Sequence, residues 1–155
     1  QRGNNMNISK ITEALFIGTT PYAEDYPRLR ELGVRLVINM RIEMHPFPDP
    51  HQPPLEFLWL PTIDHPFFPI PTRLLVRGAQ KALEIIQDGG RVLTHCAGGR
   101  HRGVAMGAAV LIAQGYAPES AMQIIKEHRQ VADPGIFYIR RPILLFARHW
   151  QNIGN

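Results

Sequence analysis

The sequence has few of the features that indicate a disulfide-rich, membrane-spanning or repeat protein. It contains one cysteine in 155 residues, so no disulfide can form within the chain, and a reducing, cytoplasmic compartment is expected. Its most apolar stretch, residues 104–113, is far shorter than the roughly 20 residues that cross a bilayer. Internal repeats and low-complexity tracts are also lacking. One domain with a substantial buried core is therefore expected.

Charge is modest and dispersed. Charged residues make up 19% of the chain and the net charge is +4, an excess that favours anionic partners by steering. The basic side chains do not form a run, so no dedicated nucleic-acid site is expected. Residues 1–5 lack a signal-peptide core and precede Met6, and they are interpreted as a remnant of expression, leaving residues 6–155 as the domain.

The most informative stretch is residues 91–103, which reads RVLTHCAGGRHRG. An apolar run ends at His95 and Cys96, two glycines follow, and a long apolar helical pattern begins after Arg102. This is the pattern of a strand, a tight loop and the start of a helix. The N–H groups of such a loop point one way and the positive end of the helix dipole lies behind them, so the loop predicts an anion site suited to phosphate.

The same loop combines a nucleophile with a cationic group. Backbone donors and nearby arginine favour the thiolate of Cys96, the reactive form of a thiol. Gly98 and Gly99 let the backbone approach a ligand closely, and the guanidinium of Arg102 matches two phosphoryl oxygens. The alternative is a small buried cysteine beside an ordinary turn. It explains neither His95 nor the clustered positive charge.

These residues resemble a known family pattern. His95, Cys96, Gly99 and Arg102 reproduce the His-Cys-x-x-Gly-x-x-Arg signature of the cysteine-dependent protein phosphatases, and the surrounding chain resembles their compact dual-specificity branch. The resemblance implies an α/β domain with a central, mostly parallel sheet of four to five strands flanked by helices. It implies no cofactor or metal, a supporting role for His95, and a phosphate loop (residues 96–102) whose binding residues are Ala97, Gly98, Gly99, Arg100, His101 and Arg102.

Apolar periodicity and turn residues predict the elements around this loop. Strands are expected at residues 15–17, 34–40 and 55–60, and helices at 21–32, 72–88, 103–114, 118–128 and around 139–150. Thr72 is expected to cap its helix, and Pro142 to lie in the first turn of the last helix. Helix 103–114 is apolar nearly all round, which predicts the buried axis of the domain.

Asp64 is the second candidate for the chemistry. A leaving oxygen departs more readily when protonated, and a carboxylic acid can supply the proton. The dual-specificity branch places its general acid on a loop between a strand and the helix before the phosphate loop, and Asp64 has a similar placement. Asp49 and then His65 are the next candidates, and a turn aspartate that caps its own backbone is the alternative. His45, Asp49 and His51 show no fixed metal-ligand spacing, so a solvated loop is expected there.

The resemblance implies two displacements at phosphorus. Cys96 attacks the phosphoryl group while Asp64 protonates the leaving oxygen, and Asp64 then activates water to release phosphate from a phosphocysteine. Arg102 and the loop amides bind the phosphoryl oxygens. The expected partners are phosphorylated proteins or small anionic phosphoesters, with inositol phosphates or lipid headgroups as the next class. Phosphoinositide-directed relatives, however, carry a basic residue where this chain has Ala97. A monomer is expected.

The chain departs from the family at Gly103. Relatives usually carry Ser or Thr there, whose hydroxyl hydrogen-bonds the cysteine sulfur and eases its departure in the second step. A slow second step and an accumulating phosphoenzyme are therefore expected. The departure also leaves open a phosphate-binding pseudoenzyme, and a rhodanese-like phosphatase of another fold would show the same Cys–Arg spacing. The low-molecular-weight phosphatases are not expected because their motif opens the chain.

Overall fold

A five-stranded sheet runs through the computed structural model, which describes residues 6–153. In chain order the strands are β1 (Ile8–Lys10), β2 (Leu15–Gly18), β3 (Val34–Arg41), β4 (Glu56–Thr62) and β5 (Arg91–His95). Their spatial order is β1-β2-β5-β3-β4; β1 pairs with β2 antiparallel, and the other pairs are parallel. The prediction of a mostly parallel sheet is confirmed. The remnant assigned to residues 1–5 lies outside the described residues.

Helices flank this sheet. A 3₁₀ turn (Ala23–Asp25) leads into α1 (Tyr26–Glu31), which is followed by α2 (Thr72–Gln87), α3 (Arg102–Ala113), α4 (Pro118–His128) and α5 (Phe137–Ile153). Each predicted helix is present, although the first one divides into the 3₁₀ turn and the short α1. Among the described residues, no helix combines the length and apolarity needed to cross a bilayer.

Both faces of the sheet are buried, because successive side chains of a strand point to opposite faces. Ile17 and Ile38 enter the large core under α2 to α5. Phe16 and Val37, one residue earlier in each strand, enter the smaller cluster that contains Tyr26 of α1. The near-continuous apolar runs of β2, β3 and β5 follow from this double cover.

Helix α3 is the buried axis, as predicted. Its residues from Arg102 to Ile112 are all buried. Glycine lets the helix lie close to the sheet: a Cβ at Gly107 would sit 2.4 Å from Ile17 Cδ1, and one at Gly103 would sit 3.0 Å from the Cα of His95. The first turn of α3 is thereby fixed against the end of β5, which is where the phosphate loop begins.

Two details of the predicted helices are wrong. Thr72 is the first residue of α2 rather than its cap; Pro71 occupies the cap position in an extended conformation, with no side-chain cap bond. Helix α5 begins at Phe137, so Pro142 lies in its second turn. The carbonyl of Ile136 already accepts helical bonds from the N–H groups that follow it. The Pro142 ring is buried, although proline cannot donate a helical backbone bond at this position.

Candidate active site

The candidate site lies at the carboxyl end of the parallel strands, the edge at which open α/β sheets bind ligands. β5 ends at His95, β3 at Arg41 and β4 at Thr62. Cys96 directly follows β5 and is 3% exposed, while Glu43 and Asp64 each lie two residues beyond their strands. In the phosphate loop Gly99 is buried, His101 is partly buried, and Ala97, Gly98 and Arg100 are exposed.

Arg102 is anchored at the start of α3 by one carboxylate and by main-chain carbonyls. Its Nη1 donates to Glu43 Oε1 at 2.9 Å and to the Thr62 carbonyl at 2.7 Å, and its Nη2 donates to Glu43 Oε2 at 2.9 Å. Burial acts to lower the pKa of Arg102, but Glu43 and the charge on Cys96 outweigh it and raise the pKa. Within residues 6–153 its Nε is buried without a hydrogen-bond partner. Nε and the second Nη2 hydrogen therefore remain as donors for phosphoryl oxygens.

Glu43 is a site residue that the sequence did not reveal. Its Oε2 also accepts a hydrogen bond from Arg41 Nε at 3.0 Å. The hydrogen bonds from Arg102 and Arg41 lower the pKa of Glu43 to about 2, against an opposing effect of burial. The carboxylate is thus ionised at neutral pH and holds Arg102 in place. Its position two residues past a strand that pairs with β5 is the signal that could have identified it, had the strand order been known.

Arg129, which directly follows α4, donates hydrogen bonds to the back of the phosphate loop. Like Glu43, it was not predicted from the sequence. It is 3% exposed, and it donates from Nε to the Gly99 carbonyl at 2.7 Å and from Nη2 to the Gly98 carbonyl at 3.3 Å. Because the N–H across a trans peptide points away from the C=O, the following N–H groups face away from Arg129. Burial lowers the pKa of Arg129, and the charge on Cys96 opposes this effect.

Gly99 is required by this packing. Its φ is +63°, in the left-handed region, and a Cβ there would lie 2.4 Å from Arg129 Nη2 and 2.9 Å from the Gly18 backbone. Only glycine combines this conformation with this close approach. The motif glycine therefore gives the loop its shape.

His95 is a buried residue at the end of β5, directly before Cys96. It is 2% exposed. Burial lowers the pKa of His95 to about 4, with contributions from the charges of Arg41 and Arg102, while a hydrogen bond with the Cys96 backbone acts in the opposite direction. The ring is therefore uncharged at neutral pH, and the supporting role expected for this residue stays a prediction.

Asp64 reaches the phosphate loop. Its Oδ2 lies 3.0 Å from His101 Nδ1, and its Oδ1 accepts a hydrogen bond from Tyr138 Oη at 2.8 Å. Burial acts to raise the pKa of Asp64, but the bonds from His101 and Tyr138 and the charge of Arg102 outweigh it, so the pKa is lowered. The contact with His101 was not anticipated from the sequence.

The other candidate acids make different contacts. The side chain of Asp49 has no exposed surface; it pairs with Arg30 and accepts a hydrogen bond from Leu55 N at 2.7 Å. Nothing in this set of contacts connects it to the phosphate loop. His65 lies beside Asp64, but its Nδ1 accepts a hydrogen bond from Phe67 N at 3.1 Å.

The three residues considered as metal ligands are engaged locally. His45 packs its ring against Trp59 at 4.3 Å between centroids. Asp49 Oδ1 lies 3.2 Å from His51 Nδ1. These contacts are those of a structured loop between β3 and β4.

Gly103, where the chain departs from the family pattern, lies close to the backbone at the end of β5. Its carbonyl accepts a hydrogen bond from Thr94 Oγ1 at 2.7 Å. A Cβ at this position would lie 3.0 Å from His95 Cα and 3.2 Å from Cys96 N. A serine or threonine would therefore fit only if β5 and α3 separated by a few tenths of an ångström.

No family model matches the chain, but curated relatives do. It is 32% identical over 131 residues to dual specificity phosphatase 28 of Mus musculus, covering 83% of this chain and 77% of that protein. It is 29% identical over 155 residues to dual specificity protein phosphatase 13B of Mus musculus, covering 96% of this chain and 77% of that protein.

Solved structures share the fold. Human DUSP28 superposes with a TM-score of 0.80 at 24% identity, covering 93% of this chain and 95% of that one. A mouse protein described as a dual specificity phosphatase, complexed with zinc tungstate, gives 0.82 at 26%, covering 95% and 90%. PTPMT1 in complex with PI(5)P gives 0.81 at 24%, covering 96% and 99%. The chain belongs to the dual specificity phosphatases, a branch of the cysteine-dependent phosphatases.

Proposed function

We propose that the protein hydrolyses phosphate monoesters through a phosphocysteine formed on Cys96. The observation that carries the proposal is the state of Arg102, whose guanidinium is fixed by both oxygens of Glu43 while its Nε has no partner within the described residues. A charged guanidinium fixed in this way beside a buried thiol can bind two oxygens of a phosphoryl group. Arg129 adds a second buried cation behind the loop.

The proposed reaction has two steps. In the first, the Cys96 thiolate attacks phosphorus and the bond to the leaving oxygen breaks. That oxygen takes a proton from Asp64, acting alone or together with a hydrogen-bonded neighbour. In the second, water attacks phosphorus, its proton passes to the same group, and the Cys96 thiolate leaves. Arg102 and the loop N–H groups stabilise the charge on the phosphoryl oxygens in both steps.

Phosphorylated side chains of proteins are the proposed substrates. The relatives are named dual specificity phosphatases, and the short chain has no insertion that would deepen the site around phosphotyrosine alone. Apolar side chains beside Asp64 are exposed, with Phe67 at 84% and Phe68 at 55%. They can contact residues that flank a phosphorylated position. We also propose that the protein is a cytoplasmic monomer.

Phosphorylated lipid headgroups are a second candidate, because the same two phenylalanines suit insertion at a membrane interface. Arg100, exposed in the phosphate loop, would meet an anionic surface. PTPMT1 was solved with PI(5)P bound. Ala97 argues against this candidate, because phosphoinositide-directed relatives carry a basic residue at that position.

Hydrolysis of a generic aryl phosphate without added metal tests the proposal. The wild type should turn over, and Cys96→Ser should be inactive while still binding vanadate. Lys10→Gln, a change in an exposed ion pair, serves as the matched surface control and should keep wild-type rates. A wild type that binds vanadate but releases no phosphate would identify a phosphate receptor and refute the proposed activity.

A further inference from the structure

His101 joins three segments of the chain at the mouth of the phosphate loop. It directly precedes Arg102, and its Nδ1 lies 3.0 Å from Asp64 Oδ2 and 3.3 Å from Tyr138 Oη. Tyr138 closes the set by donating to Asp64 Oδ1 at 2.8 Å. The rings of His101 and Tyr138 are in contact, with centroids 5.5 Å apart. Asp64 lies two residues after β4, His101 lies in the phosphate loop, and Tyr138 is the second residue of α5, so the set links three separate elements.

The imidazole of His101 lies between two carboxylates. Asp64 faces Nδ1, and Asp133, from the segment between α4 and α5, has Oδ2 at 3.8 Å from Nε2. Within the described residues Nε2 is buried and makes no hydrogen bond. Tyr138 faces the ring from α5, and Arg102, next along the chain, adds positive charge near Asp64. Groups from the segment after β4, the segment between α4 and α5, and α5 itself therefore surround the imidazole.

This arrangement bears on the source of the leaving-group proton. A general acid must carry a proton when the substrate is bound. The hydrogen bonds from His101 and Tyr138 stabilise the carboxylate form of Asp64 and lower its pKa. A proton held on His101 Nδ1, however, lies in the 3.0 Å contact with Asp64 Oδ2. The pair can then hold one transferable proton even while Asp64 itself is ionised.

We propose that Asp64 and His101 form one proton-sharing pair that supplies the leaving-group proton, with Tyr138 as a positioning residue that holds Asp64 in line. The inference rests on the proposed function. In the first step the pair gives up its single proton to the leaving oxygen as the P–O bond breaks, leaving an Asp64 carboxylate and a neutral imidazole. In the second step the attacking water returns one proton to the pair as the P–S bond breaks.

The dependence on leaving group tests the proposal directly. His101→Gln keeps a hydrogen-bonding group but cannot store the proton. For phenyl phosphate, a poor leaving group, kcat/KM should fall roughly 10- to 100-fold, whereas for 2,4-dinitrophenyl phosphate it should fall no more than about threefold. The basic limb of kcat/KM should move to lower pH, because Asp64 alone then holds the proton. Tyr138→Phe should show a smaller loss with the same leaving-group dependence.

Controls separate this role from a structural one. Inhibition by inorganic phosphate should change far less than kcat/KM for phenyl phosphate in both variants, and both should keep the wild-type thermal midpoint. Tyr116→Phe, an exposed tyrosine after α3, should match the wild type throughout. Equal losses on both substrates with weaker phosphate inhibition, or no loss in either variant, would overturn the pair. If the wild type is inactive on every ester, the proposed function is refuted and the pair with it. That result differs from the two above, in which the wild type is active.

Discussion

Both carboxylate oxygens of Glu43 accept hydrogen bonds from the guanidinium of Arg102, each at 2.9 Å. The two residues come from separate strand ends and meet because β3 and β5 are parallel neighbours. An arginine fixed in this way needs no rearrangement to meet a phosphoryl group, and such preorganised charge is where electrostatic catalysis gains most. Glu43 therefore fixes the orientation of the motif arginine.

Glu43→Gln should weaken the reaction without abolishing it. The amide offers one acceptor in place of two charged ones, so Arg102 is held less firmly. Because hydrogen bonds to charged groups contribute about 1.5–3 kcal/mol, kcat/KM should fall roughly 10- to 100-fold. Steady-state kinetics on an aryl phosphate measures the loss, with Glu84→Gln in an exposed ion pair on α2 as the matched control. Wild-type kcat/KM in Glu43→Gln would show that the backbone carbonyls alone position Arg102.

His95 should make folding stability depend on pH between about 6.5 and about 4. Burial lowers the pKa of His95 in the folded protein to about 4, from an ordinary value of 6.5. In this window the unfolded chain binds a proton that the folded protein does not, so stability rises with pH and is lost as pH falls. One proton corresponds to a slope of about 1.4 kcal/mol per pH unit.

Denaturant unfolding across this window measures the slope for His95→Gln and for His128→Gln. The first variant should show a smaller slope than the wild type, whatever its absolute stability. The second, a substitution of an exposed histidine, should keep the wild-type slope. Equal slopes in wild type and His95→Gln would mean that the buried ring does not resist protonation.

Arg129→Lys should lower the affinity for phosphate while the protein remains folded. Lysine keeps the charge but cannot bind the Gly98 and Gly99 carbonyls with two nitrogens at once. The loop amides would then be less well oriented, and inorganic phosphate should inhibit about tenfold less strongly. Arg140→Lys, in the surface pair with Glu119, is the matched control. An unchanged inhibition constant would limit Arg129 to packing.

The motif loop was predictable because its information is local. A strand, a glycine-rich turn and an apolar helix follow one another within residues 91–113, and each has its own periodicity or turn residues. The buried axis formed by α3 was predictable for the same reason. The start of α5 was not, because proline is usual in a first turn, whereas Pro142 lies further inside this helix with its ring buried.

The contacts around the motif could not be read from the sequence. Glu43 and Arg102 are 59 residues apart, and Tyr138 and Asp64 are 74 apart. Such pairs are set by strand order and helix packing, which no local pattern encodes. The resemblance predicted Asp64 as the general acid, and the structure places its carboxylate against His101 of the phosphate loop. His101 itself was predicted only as a phosphate-binding residue.

Gly103 offers the sharpest test of the second chemical step. Gly103→Ala and Gly103→Ser introduce the same Cβ, 3.0 Å from His95 Cα, so both should lose about 1–3 kcal/mol of stability from overpacking. Only serine adds a hydroxyl that can reach the Cys96 sulfur and stabilise the leaving thiolate.

The wild type and the alanine variant should therefore show a burst of product in stopped flow, as phosphoenzyme accumulates. In Gly103→Ser the burst should shrink and steady-state turnover should exceed that of Gly103→Ala. Indistinguishable alanine and serine variants would show that this loop releases its thiolate without help from a hydroxyl, and a wild type without a burst would place the slow step at the attack of Cys96.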